Sequence, residues 1–304
     1  MTRESPSLTR ESDRCRVCGA TTAIVGEKRS DWDGRLYQLG QCPACHYSFV
    51  VAPRTDFAAI YDAAYYRGEG AGRCIAYEAA VRDDDAVQRY EWRAVLDILT
   101  ALLDLNSGTR WLDFGCGLGG LVRYARERGF DVVGFDEGYA AERLRSDGIP
   151  TIERSAFNRS RGSFDVVTAI EVIEHTLDPI AFLREIRNLL RPGGVFFLTT
   201  GNARRFRTRL SSWSYVEPDV HISFFEPETL MSAYERVGLE AEHPGYVRGF
   251  TGLIRSKILG TLGVNKMGVF ERLVPWPIVS RLADRRYGVS LQPTARRPME
   301  PERT

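Results

Sequence analysis

Trp111-Leu-Asp-Phe-Gly-Cys-Gly-Leu-Gly-Gly120 decides the fold. Residues 110–114 read as an apolar strand that carries one acid, Asp113. The strand runs into Gly115-Cys-Gly-Leu-Gly119. A backbone that turns tightly and approaches a ligand closely needs residues without a Cβ there. Residues 120–128 then read as a helix, with Gly129 as its C′ residue. Strand, glycine loop and helix in this order form a nucleoside-cofactor cradle. The next strand, 131–135, leads to Asp136, which lies 21 positions past Gly115. A carboxylate at that point binds the two hydroxyls of a ribose. Spacing alone does not separate NAD from other nucleoside cofactors, because Gly120 supplies the third glycine of Gly-x-Gly-x-x-Gly.

Outward from this motif, strands and helices alternate, the pattern of a parallel sheet. A short strand is predicted at 150–153 and a longer one at 164–169. Asp178-Pro179 caps the next helix, which Arg191-Pro-Gly-Gly194 ends. Strands follow at 195–200 and 239–243, with a helix opening at Glu226-Pro227 between them. A last strand falls at 287–293. Upstream, Val87, Tyr90, Val95, Leu96, Leu99, Leu102 and Leu103 have helical spacing. No internal repeat is present.

Near the N-terminus, Cys15-x-x-Cys18 and Cys42-x-x-Cys45 are separated by 23 residues. Two such knuckles supply four thiolates to one tetrahedral zinc. Four cysteines leave no open coordination position, so the role is structural, and His46 is a bystander. Neither pair opens a helix in a βαβ unit, which argues against a redox motif. The other two of the six cysteines, Cys74 and Cys116, read as free thiols. The chain has 304 residues, 43% hydrophobic and 27% charged, enough for one α/β core and a small extra domain. Its net charge of +1 and a ribbon without a basic excess give no electrostatic case for nucleic acid. No apolar run reaches membrane-spanning length and no signal-peptide core opens the chain, so a reducing cytoplasm is expected.

The motifs Trp111–Gly120, Val133–Asp136, Phe164–Val167, Glu171–His175 and Leu190–Gly194 resemble, in order and spacing, those of class I S-adenosylmethionine (SAM) dependent methyltransferases. The resemblance covers residues 108–245. It implies an α/β fold with a Rossmann-like seven-stranded sheet. It also implies a SAM site built from Asp113, Gly115, Gly117, Gly119 and Asp136, with Ala169–Glu171 near the methionine moiety. The zinc ribbon and Tyr61-Asp-Ala-Ala-Tyr-Tyr66 resemble a subgroup that includes sugar C-methyltransferases, in a shorter chain. The implied acceptor is a small polar molecule such as a sugar or nucleotide-linked sugar, methylated at carbon or oxygen. The tyrosines are either linker packing or a lid over the cofactor.

Glu171, Glu174 and His175 are spaced i, i+3 and i+4, so on one helical turn they share a face. They follow a strand, at the carboxyl edge where open α/β sheets bind ligands, and His221 reaches the same rim. Three readings compete. His175 or His221, with Glu174 beside them, acts as general base in catalysis. Glu171, Glu174, His175 and His221 bind a divalent metal, a pattern similar to plant small-RNA 2′-O-methyltransferases. Or these side chains brace the turn. The run Ala203-Arg-Arg-Phe-Arg-Thr-Arg209 holds a substrate phosphate or is a solvated loop. The apolar, helix-spaced series Leu253, Ile254, Ile258, Leu259, Leu262, Val269, Phe270, Leu273 and Val274 forms a substrate-side cap or a homodimer face, with a membrane-surface helix as the outside alternative. The expected layout is a disordered tail 1–14, zinc ribbon 15–52, helical linker or lid 53–105, SAM domain 106–296 with a helical cap insertion at 251–284, and a tail 297–304. Two further readings compete with this one: a zinc-ribbon nucleic-acid-binding protein with a non-catalytic SAM domain, and a metal-dependent RNA 2′-O-methyltransferase.

Overall fold

The computed structural model describes residues 14–72, 75–242, 249–268, 271, 273–287, 290–291 and 294–299. The tail residues 1–13 and 300–304, Cys74, His243, Val269 and Phe270 lie outside the described residues. The chain forms an α/β sandwich around a seven-stranded sheet with one smaller sheet at its flank.

The glycine motif follows the strand next to one edge of the large sheet. Strand β4 (Arg110–Phe114) pairs in parallel with β5 (Asp131–Phe135) on one side and β6 (Phe164–Ile170) on the other. Trp111, Leu112 and Phe114 are all buried, as a parallel strand covered on both faces requires. Strand β7 (Leu190–Gly201) continues the parallel set beside β6. Strand β11 (Thr294–Arg296) then runs antiparallel between β7 and β9 (Glu240–Glu242). Strand β10 (Ser290–Leu291) pairs with the end of β7. The chain leaves β4 for β5 in one direction and for β6 in the other. This switch point, at the carboxyl edge of the strands, is where such sheets open a crevice.

Three short linker helices, α1 (Phe57–Ile60), α2 (Ala63–Arg67) and α3 (Tyr77–Ala80), precede the longer ones, which follow their apolar spacing. Helix α4 (Gln88–Leu102) buries Ala94, Val95, Leu96, Ile98 and Leu99. Helices α5 (Gly120–Arg126) and α6 (Gly138–Ser146) connect β4 to β5 and β5 to β6. Helix α7 (Pro179–Leu189) opens on Asp178, whose carboxylate accepts the N–H groups of Ile180 and Ala181. Helix α8 is Pro227–Val237. In the cap region, α9 (Gly249–Thr261) packs on α4 and against α10 (Trp276–Tyr287).

Three elements differ from the sequence reading. The strand at 150–153 is a single parallel bridge, Gly134 to Thr151, after which residues 154–160 turn as a 3₁₀ segment. Arg191–Gly194 does not end α7, which stops at Leu189. These residues lie inside β7 as a bulge, because Leu190 pairs with Phe164 but Val195 pairs with Val166. The last strand is displaced: α10 runs through Tyr287, and the strands are Ser290–Leu291 and Thr294–Arg296.

The cysteine segment forms the smaller sheet. Strands β1 (Ala23–Arg29), β2 (Leu36–Gln41) and β3 (Ser48–Val50) make an antiparallel ribbon. A fourth strand, β8 (Ser223–Phe224), joins it from far along the chain, pairing with β3. The ribbon is therefore built into the α/β body.

Candidate functional site

The glycine loop, the ends of β5 and β6 and the linker helices surround one cavity of about 1070 Å³. Gly115, Gly117, Asp113 and Asp136 all line it. Gly117 has φ +54, and a Cβ there would meet nothing within 4 Å, so the loop leaves open space. Its N–H donates to Asp136 Oδ2 at 2.7 Å, and the Glu137 N–H donates to Oδ1 at 2.8 Å. The Asp136 carboxylate thus stands fixed at the cavity wall with lone pairs left for further donors. Burial pushes it up to about 6. Asp113 is buried under the loop and accepts the Thr168 hydroxyl at 2.7 Å. Burial pushes it up to about 7.

Two residues assigned to the cofactor face elsewhere. Gly119 has φ +77, and a Cβ there would press Leu144 at 2.8 Å, so it serves helix packing and does not line the cavity. Ala169 is fully buried in the core, because side chains alternate along β6 and Ile170 takes the cavity side, while Glu171 reaches the cavity from beyond the strand's end.

Glu171, Glu174, His175 and His221 do converge, by a different geometry from a helical turn. Glu171 lies outside the turn at φ +53, a left-handed conformation that costs about 1–2 kcal/mol for a residue with a Cβ. Only Ile173–His175 form a turn, and it is 3₁₀. Tyr215 bridges the carboxylates. Its hydroxyl meets Glu171 Oε2 at 2.9 Å and also Glu174 Oε1. One phenol proton cannot serve two ionised carboxylates, so one carboxyl keeps its proton. Although burial pushes Glu171 up, the Lys257 ammonium at 2.9 Å and the Thr199 and Tyr215 hydroxyls hold it low and ionised. Burial and the Glu171 charge push Glu174 up, so it is the protonated partner.

Both imidazoles have an assigned tautomer. His221 Nδ1 lies 2.7 Å from the Tyr215 carbonyl and His175 Nδ1 lies 2.8 Å from the Val220 carbonyl. A carbonyl only accepts, so Nδ1 carries the hydrogen in each and Nε2 keeps its lone pair. Burial lowers both, His221 to about 3. The rings are 4.9 Å apart, and Tyr61 approaches His175 Nδ1 at 2.8 Å. Ligand atoms of Glu174, His175 and His221 all fall within 4.8 Å of one another.

Because Glu174 folds as a raised acid, its proton stabilises the native state at low pH. That contribution fades as pH rises from the unfolded carboxyl value, about 4.3, through the raised native one. Glu174→Gln removes the titration. Its stability relative to the unsubstituted protein should therefore climb between pH 5 and pH 8, by at least about 1 kcal/mol. Denaturant melts at the two pH values check this, and an equal difference at both would contradict the assignment.

Spacing did not reveal Tyr215, Glu91, Trp92 or Lys257 as cavity residues. Lys257 left one trace: it is a charge in the midst of an apolar helical series. It bridges Glu171 and, at 3.4 Å, Glu91, so the cap helix is tied to the cavity by charge. Tyr61, Tyr65 and Tyr66 line the cavity with edge-to-face contacts at 5.0 and 5.2 Å. The arginine run does not reach it. Arg204 pairs with Glu228, and Arg207 pairs with the buried Glu226.

The four cysteines gather at the end of the ribbon, away from the cavity. The Cys15 and Cys45 sulfurs are 3.5 Å apart, as are those of Cys18 and Cys42. All four Sγ atoms fall within 4.8 Å of one another. A tetrahedral zinc with bonds of about 2.3 Å sets its sulfurs about 3.8 Å apart, so the donor set fits that ion.

The family model described as "Methyltransferase domain" matches residues 87–243. The ubiquinone biosynthesis O-methyltransferase of Xanthomonas oryzae pv. oryzae is 39% identical over 120 residues, 35% of this chain and 48% of that protein. The chain thus spans about half the length of this curated relative. The enzyme of the same name from Aliivibrio fischeri is 27% identical over 178 residues, 52% of this chain and 73% of its own. Among solved structures, a SAM-dependent methyltransferase from Mesorhizobium loti is similar with a TM-score of 0.44 and 21% identity, over 70% of this chain and 99% of its own. Among the described residues, no helix is long and apolar enough to cross a membrane.

Proposed function

The chain belongs to the methyltransferase domain family, and from that premise we propose that it transfers a methyl group from SAM to a small polar acceptor. The observation that carries this reading is the glycine loop bonded to Asp136 in the same cavity as two neutral imidazoles. The cavity also suits a cationic cofactor. Among the described residues, the acids Glu91, Asp113, Asp136, Glu137, Glu171, Asp178, Glu185 and Glu217 line it against the cations Lys257 and Arg154. Bound SAM supplies an electrophilic methyl group on a sulfonium. Asp136 would hold the ribose hydroxyls, and Gly115 and Gly117 would let the backbone approach the cofactor, with Asp113 below them and Glu171 toward the methionine end.

His175 would be the general base. It takes a hydroxyl or acidic C–H proton on Nε2 while Nδ1–H stays bonded to Val220 O. His221 is held too low to carry a proton near neutral pH and would orient the acceptor instead. Protonated Glu174, which does not line the cavity, would donate to the Tyr215 hydroxyl and so brace the wall behind them. A sugar fits this set of polar groups. A nucleotide-linked sugar would have to keep its diphosphate outside, since Arg204 and Arg207 are engaged with Glu226 and Glu228.

A structural zinc on Cys15, Cys18, Cys42 and Cys45 completes the proposal. So does a layout of ribbon 15–52, lid 53–105 and SAM domain 106–296 with the 251–284 cap, in a cytoplasmic setting. The grouping of Glu174, His175 and His221 favours a second reading, a divalent metal that activates the acceptor. In that case a chelator abolishes activity and Mg²⁺ or Mn²⁺ restores it. Nucleic-acid binding is less favoured. Residues 15–52 hold Arg16, Lys28, Arg29 and Arg35 against Glu27, Asp31 and Asp33.

Asp136→Ala should weaken SAM binding at least tenfold, because a buried charge-assisted hydrogen bond is worth roughly 1.5–3 kcal/mol. Calorimetry with SAM and NAD tests this. Unchanged SAM affinity, or a preference for NAD, overturns the reading.

A further inference from the structure

His221 is carried by a stretch with almost no regular structure of its own. From Trp213 to Ile222 there is neither helix nor strand, and β8 after it is two residues long. Such a segment takes its geometry from what it is bonded to. Bonds to the cysteine ribbon lie on both sides of the histidine. Two residues before His221, buried Asp219 accepts the Tyr37 hydroxyl of β2 at 3.0 Å. One residue after it, the Ile222 carbonyl accepts the Val50 N–H of β3 at 3.0 Å. At Ser223 the side-chain hydroxyl shares a bond with the Tyr47 hydroxyl at 2.7 Å. The Ile222 N–H in turn donates to the Glu174 carbonyl at 2.8 Å, so the strut continues into the carboxylate turn.

The knuckles are anchored from their other side as well. The Thr229 hydroxyl donates to the Cys45 carbonyl at 2.6 Å, and Arg236 donates to the Val17 carbonyl at 2.7 Å. No cysteine of the cluster lines the cavity. Tyr37, Leu39 and Val50 of the ribbon also pack in one apolar cluster with Trp213, Val216 and Ile222, so the ribbon bears on the whole segment that carries His221.

We propose that the four-cysteine unit is a positioning device for the acceptor half of the site. Metal held by Cys15, Cys18, Cys42 and Cys45 fixes β2 and β3, and these strands fix residues 219–223 and with them His221. The role assigned to His221 rests on the methyltransferase reading; the mechanical linkage does not. A displacement of about 1 Å at an orienting group lowers rate on the order of 10²-fold, so such a strut controls turnover without contacting substrate.

The test uses the full chain without acceptor. Tyr37→Phe combined with Tyr47→Phe removes two hydroxyls, keeps both rings and leaves the cysteines intact. Amide hydrogen exchange of residues 220–223 should quicken about tenfold, while amides of β4 and β5 stay protected. Zinc content should stay at one per chain and SAM affinity within twofold. The downfield His221 Nδ1–H resonance, expected from its bond to Tyr215 O, should broaden or vanish. Cys42→Ser, which lowers zinc content, should produce the same local quickening. Unchanged exchange at 220–223 in both variants overturns the proposal. So does loss of protection spread through the whole sheet, which would make the ribbon a general stabiliser. Failure of the unsubstituted protein to bind SAM sinks the methyltransferase reading and leaves the exchange result to be judged alone.

Discussion

His175→Gln should cut methyl-transfer turnover by about 10²–10⁴-fold, the usual worth of general-base help, with SAM affinity within twofold. Glutamine keeps a donor for the Val220 carbonyl and most of the side-chain volume, so the turn should hold its shape. What it loses is the Nε2 lone pair. The acid limb of the rate profile gives the sharper signature. A base must be unprotonated, so activity falls as pH drops through its pKa. Burial lowers that value from the ordinary 6.5, so the limb lies on the acid side of about pH 6.5. It should flatten in the variant. Steady-state rates from pH 5 to 8 check both parts. Full activity in His175→Gln and His221→Gln, together with no chelator effect, would remove the base and the metal alike and leave orientation as the means of catalysis.

Cys42→Ser should abolish stoichiometric zinc and loosen the ribbon. Four thiolates on one ion make folding and metal binding the same event, with apparent zinc free energies on the order of 10–16 kcal/mol in small zinc modules. Here part of that loss is offset by burial, because Tyr37, Leu39, Tyr47 and Phe49 remain packed in the body. Metal analysis should find about one zinc per chain before substitution and a small fraction after it. Thiol titration should show the other three cysteines becoming reactive. No zinc in the unsubstituted protein, with all four thiols freely titratable, would contradict the site.

The parallel half of the sheet was legible because its signals are local. Arg110–Phe114 and Asp131–Phe135 are short, largely apolar runs followed by glycine or acid, and Asp178-Pro179 caps by side-chain chemistry within three residues. Gly115, Gly117 and Asp136 followed from the same local grammar. Arg191–Gly194 misled because Pro-Gly-Gly signals a break, whereas here the break is a bulge that β6 tolerates. Glu171 misled because i, i+3, i+4 spacing presumes a helix, and the chain turns left-handed at its first member. Tyr215 and Lys257 were invisible for another reason. Each enters the cavity through tertiary packing alone, from 44 positions beyond Glu171 in one case and from the cap helix in the other. No short-range pattern encodes such a meeting.

The place of β11 in the sheet has a consequence for the order of assembly. Strands β4 to β7 can pair using residues 110–201 alone, and the glycine loop with Asp136 lies wholly inside that stretch. Among the described strands, β9 has no neighbour until Thr294–Arg296 slide between it and β7. Helices α9 and α10 occupy the chain between those two strands. The last long-range pairing of the sheet therefore drags the cap over the mouth in the same event, and pairings of that sequence separation form slowly. During refolding the cofactor cradle should become competent before its cover arrives. The slow phase should then be read by Lys257 meeting Glu171, while core fluorescence from Trp111 settles earlier.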